Sequence, residues 1–337
     1  MRMRQWTILK LVSCWLCWCC GGSLLQAQDP VYSQYFSAPL QLNPALTGLV
    51  EAPVVTLNYR NQWPSIPNAY STYAVSASQY FSKIHSGFGV LVEADVAGEE
   101  AHAKYRVGLF YAYDIRFDKD FYIRGGLEFN AVNVRLDWNK LVFLDQLTTG
   151  ATAPSPTSQE LQGNSSTTYL DIGTGLLLNT PYFYAGFSLQ HINAPRVALT
   201  TNTLDGSDTW PMRYSLHAGS KINLRRPRMR GSKSFVSPTA LFVQQRAFRQ
   251  LNLGAYVQHG IILGGIWFRH TFSNADAVIV LLGLQTGMFK IAYSYDITVS
   301  ALNVATGGAH EIALTFNWWH KKQNNRNRYN DCLEIFR

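Results

Sequence analysis

The fold turns on His102-Ala103-Lys104-Tyr105-Arg106-Val107-Gly108-Leu109-Phe110-Tyr111-Ala112-Tyr113-Asp114. Ala103, Tyr105, Val107, Leu109, Tyr111 and Tyr113 fall on one face of this stretch. His102, Lys104, Arg106, Gly108, Phe110, Ala112 and Asp114 fall on the other. Period-2 alternation sustained this long specifies an extended strand with one apolar and one polar face. Phe88, Val90, Val92, Ala94 and Val96 repeat the pattern against Gly89, Leu91, Glu93 and Asp95. So do Ile312, Leu314, Phe316 and Trp318 against Glu311, Ala313, Thr315 and Asn317. A single strand of this kind fits two folds. In a soluble sandwich the apolar face packs inward, whereas in a membrane barrel it meets lipid and the polar face lines the lumen.

Counting outward from this segment separates the two. Alternating segments run over Val54–Asn61, Tyr70–Phe81, Ser86–Asp95, His102–Asp114, Asp120–Val134, Tyr169–Asn179 and Tyr182–Ile192. They continue over Arg213–Asn223, Pro238–Arg246, Leu251–His259, Ile261–His270, Asp276–Gln285, Phe289–Ser300 and His310–Trp318. That is an even number, fourteen, and most exceed the roughly 9–11 residues a tilted strand needs to cross a bilayer. With a periplasmic N-terminus, the long connections Arg135–Thr168 and Asn193–Met212 both fall outside. The tight ones at Thr180-Pro181, Gly260 and Thr286-Gly287 all fall on the periplasmic side. Sorting of loops by parity is a property of outer-membrane barrels, and a sandwich has no cause for it. The expected fold is all-β: a transmembrane antiparallel β-barrel of the outer membrane with about 14 strands, spanning residues 54–319.

Composition agrees. Of 337 residues only 15% are charged, against roughly 25% in soluble domains. Past the first 27 residues the longest clean apolar run is Ala277–Leu284, too short for a helical span of about 20 residues. At the start, Arg2, Arg4 and Lys10 precede the uncharged apolar run Leu11–Leu25, and Leu25-Gln26-Ala27 offers a small-residue cleavage site. Residues 1–27 therefore read as a signal peptide and the protein as exported. Leu11-Val12-Ser13-Cys14 resembles a lipobox but leaves almost no apolar region before it. Cleavage after Ala27 removes four of the five cysteines, leaving Cys332 and no intramolecular disulfide. It also leaves 26 of 29 basic residues against 21 acidic ones, a mild excess that gives no reason to expect nucleic acid.

Catalytic signatures are missing from the pattern. His310-Glu311 opens like a zinc-protease motif but continues as a strand with no second His, and there is no Gly-x-Ser-x-Gly and no phosphate loop. The eight His residues are scattered. No catalytic, cofactor or metal residues are assigned, and the chain is expected not to be an enzyme. Parity points Arg60, Lys104, Arg106, Arg124, Glu128, Arg213, Asp296 and Glu311 into the lumen. They either pair with one another to fill it or form a selectivity lining. Tyr59, Trp63, Tyr111, Trp138, Tyr182, Trp267 and Trp318 read as interfacial girdles. The connection Leu224–Phe235 breaks the loop rule: it is long, and its Arg225, Arg226, Arg228, Arg230 and Lys233 make either a solvated turn or a dock for an acidic partner. Residues 28–53 hold prolines and no alternation. This periplasmic N-terminal segment is a candidate plug, or presents Tyr32, Tyr35 and Phe36 to a partner. Residues 320–337 read as a periplasmic basic tail.

Longer motifs carry a resemblance. Gln28-Asp29-Pro30-Val31-Tyr32-Ser33-Gln34-Tyr35-Phe36, then Pro39-Leu40-Gln41-Leu42-Asn43-Pro44-Ala45-Leu46-Thr47-Gly48, resembles the opening of the PorP/SprF family. Arg60-Asn61-Gln62-Trp63-Pro64, Gln190-His191-Ile192-Asn193-Ala194-Pro195 and Trp267-Phe268-Arg269 resemble it too, as does Tyr293-Ser294-Tyr295-Asp296 with Gly308-Ala309-His310-Glu311-Ile312. The resemblance extends from Gln28 to Trp318. It is looser at Tyr169-Leu170-Asp171-Ile172, and the tail from His320 is longer than a barrel needs. It implies an outer-membrane component of the type IX secretion system that acts through protein contacts in export or anchoring of large surface adhesins, gliding-type cargo included. The implied partners are periplasmic ring components, peptidoglycan-associated lipoproteins, and secreted adhesins with C-terminal secretion domains, in a setting of outer-membrane lipid. Two readings compete on the same architecture: a passive porin or transporter of small solutes or lipid, and a barrel hydrolase.

Overall fold

A computed structural model describes residues 29–118, 121–141, 165–197, 209–224, 234–272, 275–299, 307–318 and 332–337. The expected signal peptide and the basic residues Arg225, Arg226, Arg228, Arg230 and Lys233 lie outside the described residues. The strands are β1 (Val54–Gln62), β2 (Tyr70–Phe81), β3 (Ser86–Ala97), β4 (His102–Arg116), β5 (Tyr122–Leu136), β6 (Ser166–Asn179) and β7 (Phe183–Gln190). Then follow β8 (Arg213–Ser220), β9 (Ile222–Asn223), β10 (Ser234–Gln245), β11 (Phe248–His259), β12 (Ile262–His270), β13 (Ala275–Thr286), β14 (Phe289–Thr298) and β15 (Ala309–Asn317). β8 and β9 both pair with β10 and are two pieces of one strand interrupted at Lys221. The sheet is therefore a fourteen-stranded antiparallel barrel. It closes where β1 pairs with β15, from Val54 opposite Asn317 to Gln62 opposite Ala309. Closure leaves no edge strand to solvate, which is what permits a sheet to sit in lipid.

The wall is inside-out relative to a soluble fold. On β4, Lys104, Arg106, Phe110, Ala112 and Asp114 are buried, while Tyr105, Val107, Leu109 and Tyr113 are exposed, Leu109 at 60%. The same holds around the barrel, where Val92, Leu127, Leu176, Leu216, Leu253, Ile266, Leu282, Ile291 and Leu314 all face outward. Water would not tolerate so continuous an apolar belt; lipid removes its cost. At one end the connections are short: Gly260 with Ile261 joins β11 to β12, and Gly287 with Met288 joins β13 to β14. Gly260 and Gly287 adopt φ +66° and +52°, the left-handed region these turns require. Both long connections, β5 to β6 and β7 to β8, leave the opposite end. We refer to these as the periplasmic and outer ends, as the loop sorting dictates. Two connections stand out against the sorting: residues 224–233 make a long link from β9 to β10 at the periplasmic end, and β10 turns into β11 through Arg246 and Ala247 alone, a tight hairpin at the outer end.

Trp267 is a correction to the girdle reading. Tyr182 and Trp318 are exposed at the periplasmic end, but Trp267 is 1% exposed and faces the lumen with Leu263 and Arg269. Its parity on β12 outweighs its proximity to the strand end.

Candidate functional site

The lumen is filled by the chain itself. From Asp29 beside the outer-end residues Lys104, His191 and Gln245, the N-terminal segment descends to Val50, whose carbonyl accepts the Tyr80 N–H at the periplasmic end. Pro30, Pro39 and Pro44 deny it the donors a wall strand needs. It instead forms short turns at Tyr35–Ser37 and Pro44–Leu46 and one helical turn at Pro39–Leu42. Each of the last two starts on a proline, which suits a first helical position, and the Asn43 side chain caps Pro44–Leu46 by accepting from Ala45 N at 2.8 Å. Residues 29–50 are thus an intraluminal plug rather than a free periplasmic segment.

Three polar groups of contacts hold the plug. At the outer end, Asp29 pairs with Lys104, faces His191 Nε2 at 2.7 Å, and accepts from Gln245 Nε2 at 2.8 Å and Trp210 Nε1 at 3.2 Å. Burial alone would raise the Asp29 carboxyl, but Lys104 and His191 outweigh it and hold it well below the usual carboxylate range. The other His191 nitrogen lies 2.9 Å from Asp171. An imidazole between two carboxylates donates from both nitrogens, as an imidazolium. Lower down, Glu311 accepts the Ser33 and Gln34 N–H groups at 2.8 and 3.0 Å and Arg60 at 3.0 Å. Asp296 accepts the Ser33 hydroxyl at 2.6 Å, Arg60 at 3.1 Å and Arg269 at 2.8 Å. Arg60 and Arg269 neutralise the two buried carboxylates, Arg269 also pairing with Asp276 at the cluster's edge, and the plug backbone completes the hydrogen bonding. Nearer the periplasm, Arg124 donates to the Thr47 carbonyl at 2.5 Å and pairs with Asp114 at 2.9 Å.

Apolar contacts fill between these anchors. The Phe36 ring stacks on Trp267 at 5.4 Å, and Trp267 Nε1 donates to Thr239 at 2.9 Å. Tyr35 donates its hydroxyl to the same Thr239 oxygen at 2.7 Å, and burial pushes that phenol up to about 12, so it stays a neutral donor. Tyr32 donates to Glu93, which also pairs with Arg106 at 3.2 Å. The wall makes room where the plug is widest. A Cβ on Gly126 would overlap the backbone of Pro44 and Ala45, and one on Gly87 the Thr47 carbonyl.

The eight charges read by parity, Arg60, Lys104, Arg106, Arg124, Glu128, Arg213, Asp296 and Glu311, are all buried on the inner wall. Five of them (Arg60, Lys104, Arg124, Asp296 and Glu311) bond the plug directly. They face the plug. Tyr32, Tyr35 and Phe36 require a correction. They are 4%, 3% and 0% exposed, so they are packing groups of the plug and present nothing to a partner. The tail also differs from expectation: Cys332, Leu333, Ile335 and Phe336 re-enter the lumen at its periplasmic floor and are buried there. Sequence reasoning passed over Asp29, His191, Arg269 and the Leu333–Phe336 turn. Arg269 shares parity with Trp267, and the apolar Leu333-Glu334-Ile335-Phe336 after a polar run was a visible signal. Nothing local marked Asp29 or His191.

The sequence profile of a family described as type IX secretion system membrane protein PorP/SprF matches residues 24–316. No curated protein sequence matches the chain. Among solved structures, a FadL homologue from Pseudomonas aeruginosa is similar, with 11% identity, TM-score 0.44, and coverage of 82% of this chain and 93% of that one. Omp33 of Acinetobacter baumannii shows 9% identity and TM-score 0.45, covering 81% and 100%. The KdgM porin shows 7% identity and TM-score 0.39, covering 79% and 99%. The family match takes in the plug, the closing seam and the wall charges that hold the plug, and the chain belongs to the PorP/SprF family of type IX secretion system membrane proteins, as an outer-membrane β-barrel.

Proposed function

We propose that this barrel serves type IX secretion as a non-catalytic scaffold, exporting or anchoring large surface adhesins through protein contacts. Its partners on this reading are periplasmic ring components, peptidoglycan-associated lipoproteins, and adhesins bearing C-terminal secretion domains. The observation that carries the reading is the occupied lumen. A wall whose inward charges are spent on its own plug offers a diffusing solute no lining to follow, which disfavours the porin and small-solute transporter alternatives. What the barrel then offers to other molecules is its two ends.

The test is a tagged purification from the outer membrane in mild detergent, with mass spectrometry of what is retained. Retention of ring components, lipoproteins or adhesins supports the reading, and their identity separates anchoring from cargo carriage. A solitary barrel that conducts ions in planar bilayers overturns it in favour of a porin.

A further inference from the structure

We infer that the periplasmic floor of the lumen is a peptide-binding groove whose resident ligand is the chain's own Leu333–Phe336, and that it takes a peptide of the same aliphatic–acidic–aliphatic–aromatic pattern in trans from the periplasm. The inference stands apart from the secretion reading, because it concerns binding by the purified barrel alone.

The seated tail supplies the template. Glu334 pairs with Lys221, and the Ile335 carbonyl accepts from Lys290 Nζ at 3.1 Å. The Phe336 ring packs edge-on to Tyr184 at 5.4 Å and lies 6.2 Å from His217. Leu333 and Ile335 are fully buried. Cys332 Sγ lies within 3.3 Å of Asn179 Oδ1 and 3.2 Å of the Thr180 carbonyl, which fixes where the peptide crosses the rim. Each tail residue from Cys332 to Phe336 thus has its own seat, as a bound peptide does.

The two lysines are what mark this as a ligand site. Elsewhere on the inner wall Arg60 pairs with Glu311, Arg106 with Glu93 and Arg124 with Asp114, wall to wall, whereas Lys104 takes its acid, Asp29, from the plug. Lys221 and Lys290 likewise take their partners from a segment seated inside the barrel, here the tail. Among the described residues, the acid within ion-pair distance of Lys221 is Glu334 of the tail, and Lys290 donates to the tail backbone. Aromatic faces hold both ammonium groups in place, Phe235 at 5.2 Å from Lys221 and Phe36 at 5.5 Å from Lys290. Lys290 is buried and Lys221 half-buried, and both find their complement on the tail peptide. The tail reaches the floor through residues 319–331, whose sequence is polar and basic from His320 onward. Covalent linkage to the wall raises the local concentration of the tail, so a weak intrinsic affinity suffices to keep the groove filled. A competing peptide gains access once that advantage is removed.

The experiment places a protease site between His320 and Asp331 in the full chain and purifies the barrel in detergent. A fluorescein-labelled peptide with the sequence Arg328–Arg337 is then titrated before and after cleavage, read by fluorescence polarisation. Expected are negligible binding to the uncut barrel, saturable binding after cleavage, and about tenfold weaker binding with Lys221→Glu, as befits loss of a charge-assisted bond. A probe carrying Glu334→Lys should recover affinity for Lys221→Glu, which a merely destabilised floor would not do. An unchanged thermal midpoint of Lys221→Glu is the folding control. Should the cut tail stay seated, the uncut chain with Glu334→Lys and Phe336→Ala vacates the groove instead. No binding of the wild-type probe to either form, or no recovery in the charge swap, overturns the inference.

Discussion

The plug and the tail occupy the same lumen but are held by opposite means. The plug is joined directly to β1 and is bound through buried charges: Asp29 in a cationic pocket, and Ser33 with Gln34 on the Arg60–Asp296–Glu311–Arg269 cluster. The tail is one short turn seated by Leu333, Ile335 and Phe336, with Glu334 paired to Lys221 and the Ile335 carbonyl bonded to Lys290. Buried charge networks are unforgiving, because removing either partner leaves the other stranded in a low dielectric. Apolar seats release and refill more readily, and release of the tail uncovers only Lys221 and Lys290. One intraluminal segment is thus structural and the other exchangeable.

The largest effect is expected from deleting Asp29–Gly48. The wall would still insert, but its inward charges would face water. Planar-bilayer recordings should show ion conductance where the intact chain shows none, and cell-surface cargo should disappear. Normal surface cargo in that strain would separate the plug from secretion. Next is Glu311→Ala, which removes one of the two carboxylates that hold Arg60 and leaves two plug N–H groups without their acceptor. A loss of about 3–5 kcal/mol is expected for breaking a buried pair, read as a fall in thermal midpoint in detergent. A fall no larger than that of an exposed surface variant would mean the plug is not charge-anchored.

Asp29 gives the pH test. Its carboxyl is held well below the ordinary value in the folded state. Its contribution is therefore complete above the unfolded-state value of about 3.9, and is lost as pH falls through the lower folded value. Asp29→Asn should lower the thermal midpoint at neutral pH, with Lys104, His191 and Arg213 left facing a neutral amide, and the gap to the parent should close as the solution is acidified below about pH 4. A gap independent of pH would assign the loss to packing. The smallest effect is expected from Phe336→Ala. A core aromatic truncation ordinarily costs about 3–5 kcal/mol. Here the tail undocks instead of the barrel unfolding, so the global midpoint should move little while proteolysis of the tail accelerates. A midpoint shift as large as that of Glu311→Ala would show that tail and plug form one cooperative unit.

Most of the wall was legible in the sequence, because side-chain parity is a local property of a strand. His102–Asp114 declares its two faces within its own length, and loop lengths then orient them. Arg60, Asp296 and Glu311 were legible as inward charges for the same reason. Their partners were not, since Arg60 and Glu311 meet only when the first and last strands pair across the whole chain. Trp267 was misread because closeness to a strand end and inward parity conflict there, and parity governs. The plug's contents were visible as prolines without alternation, but its seat was not. Where Phe36 comes to rest depends on Trp267, Tyr256 and Lys290 from three separate strands. The tail was hidden by the polar run before it, which made the apolar Leu333–Phe336 look incidental.

The direction of the plug carries a consequence for assembly. Its first described residue sits at the outer mouth, while the wall begins only after Val50 at the opposite end. The chain thus crosses the lumen before it contributes a single strand. Threading Tyr35, Phe36 and Leu40 through a finished wall would need a bore wider than the one they now fill. The order of events must run the other way: the plug residues settle among the emerging strands, and the ladder of Val54–Gln62 with Ala309–Asn317 zips last. Cysteine pairs placed across that seam and across the plug contact should therefore cross-link in sequence during refolding, plug first. Such a barrel is cast around its own beginning, so lesions at Ser33 or Asn43 would surface first as slow maturation, well before they surfaced as leakage.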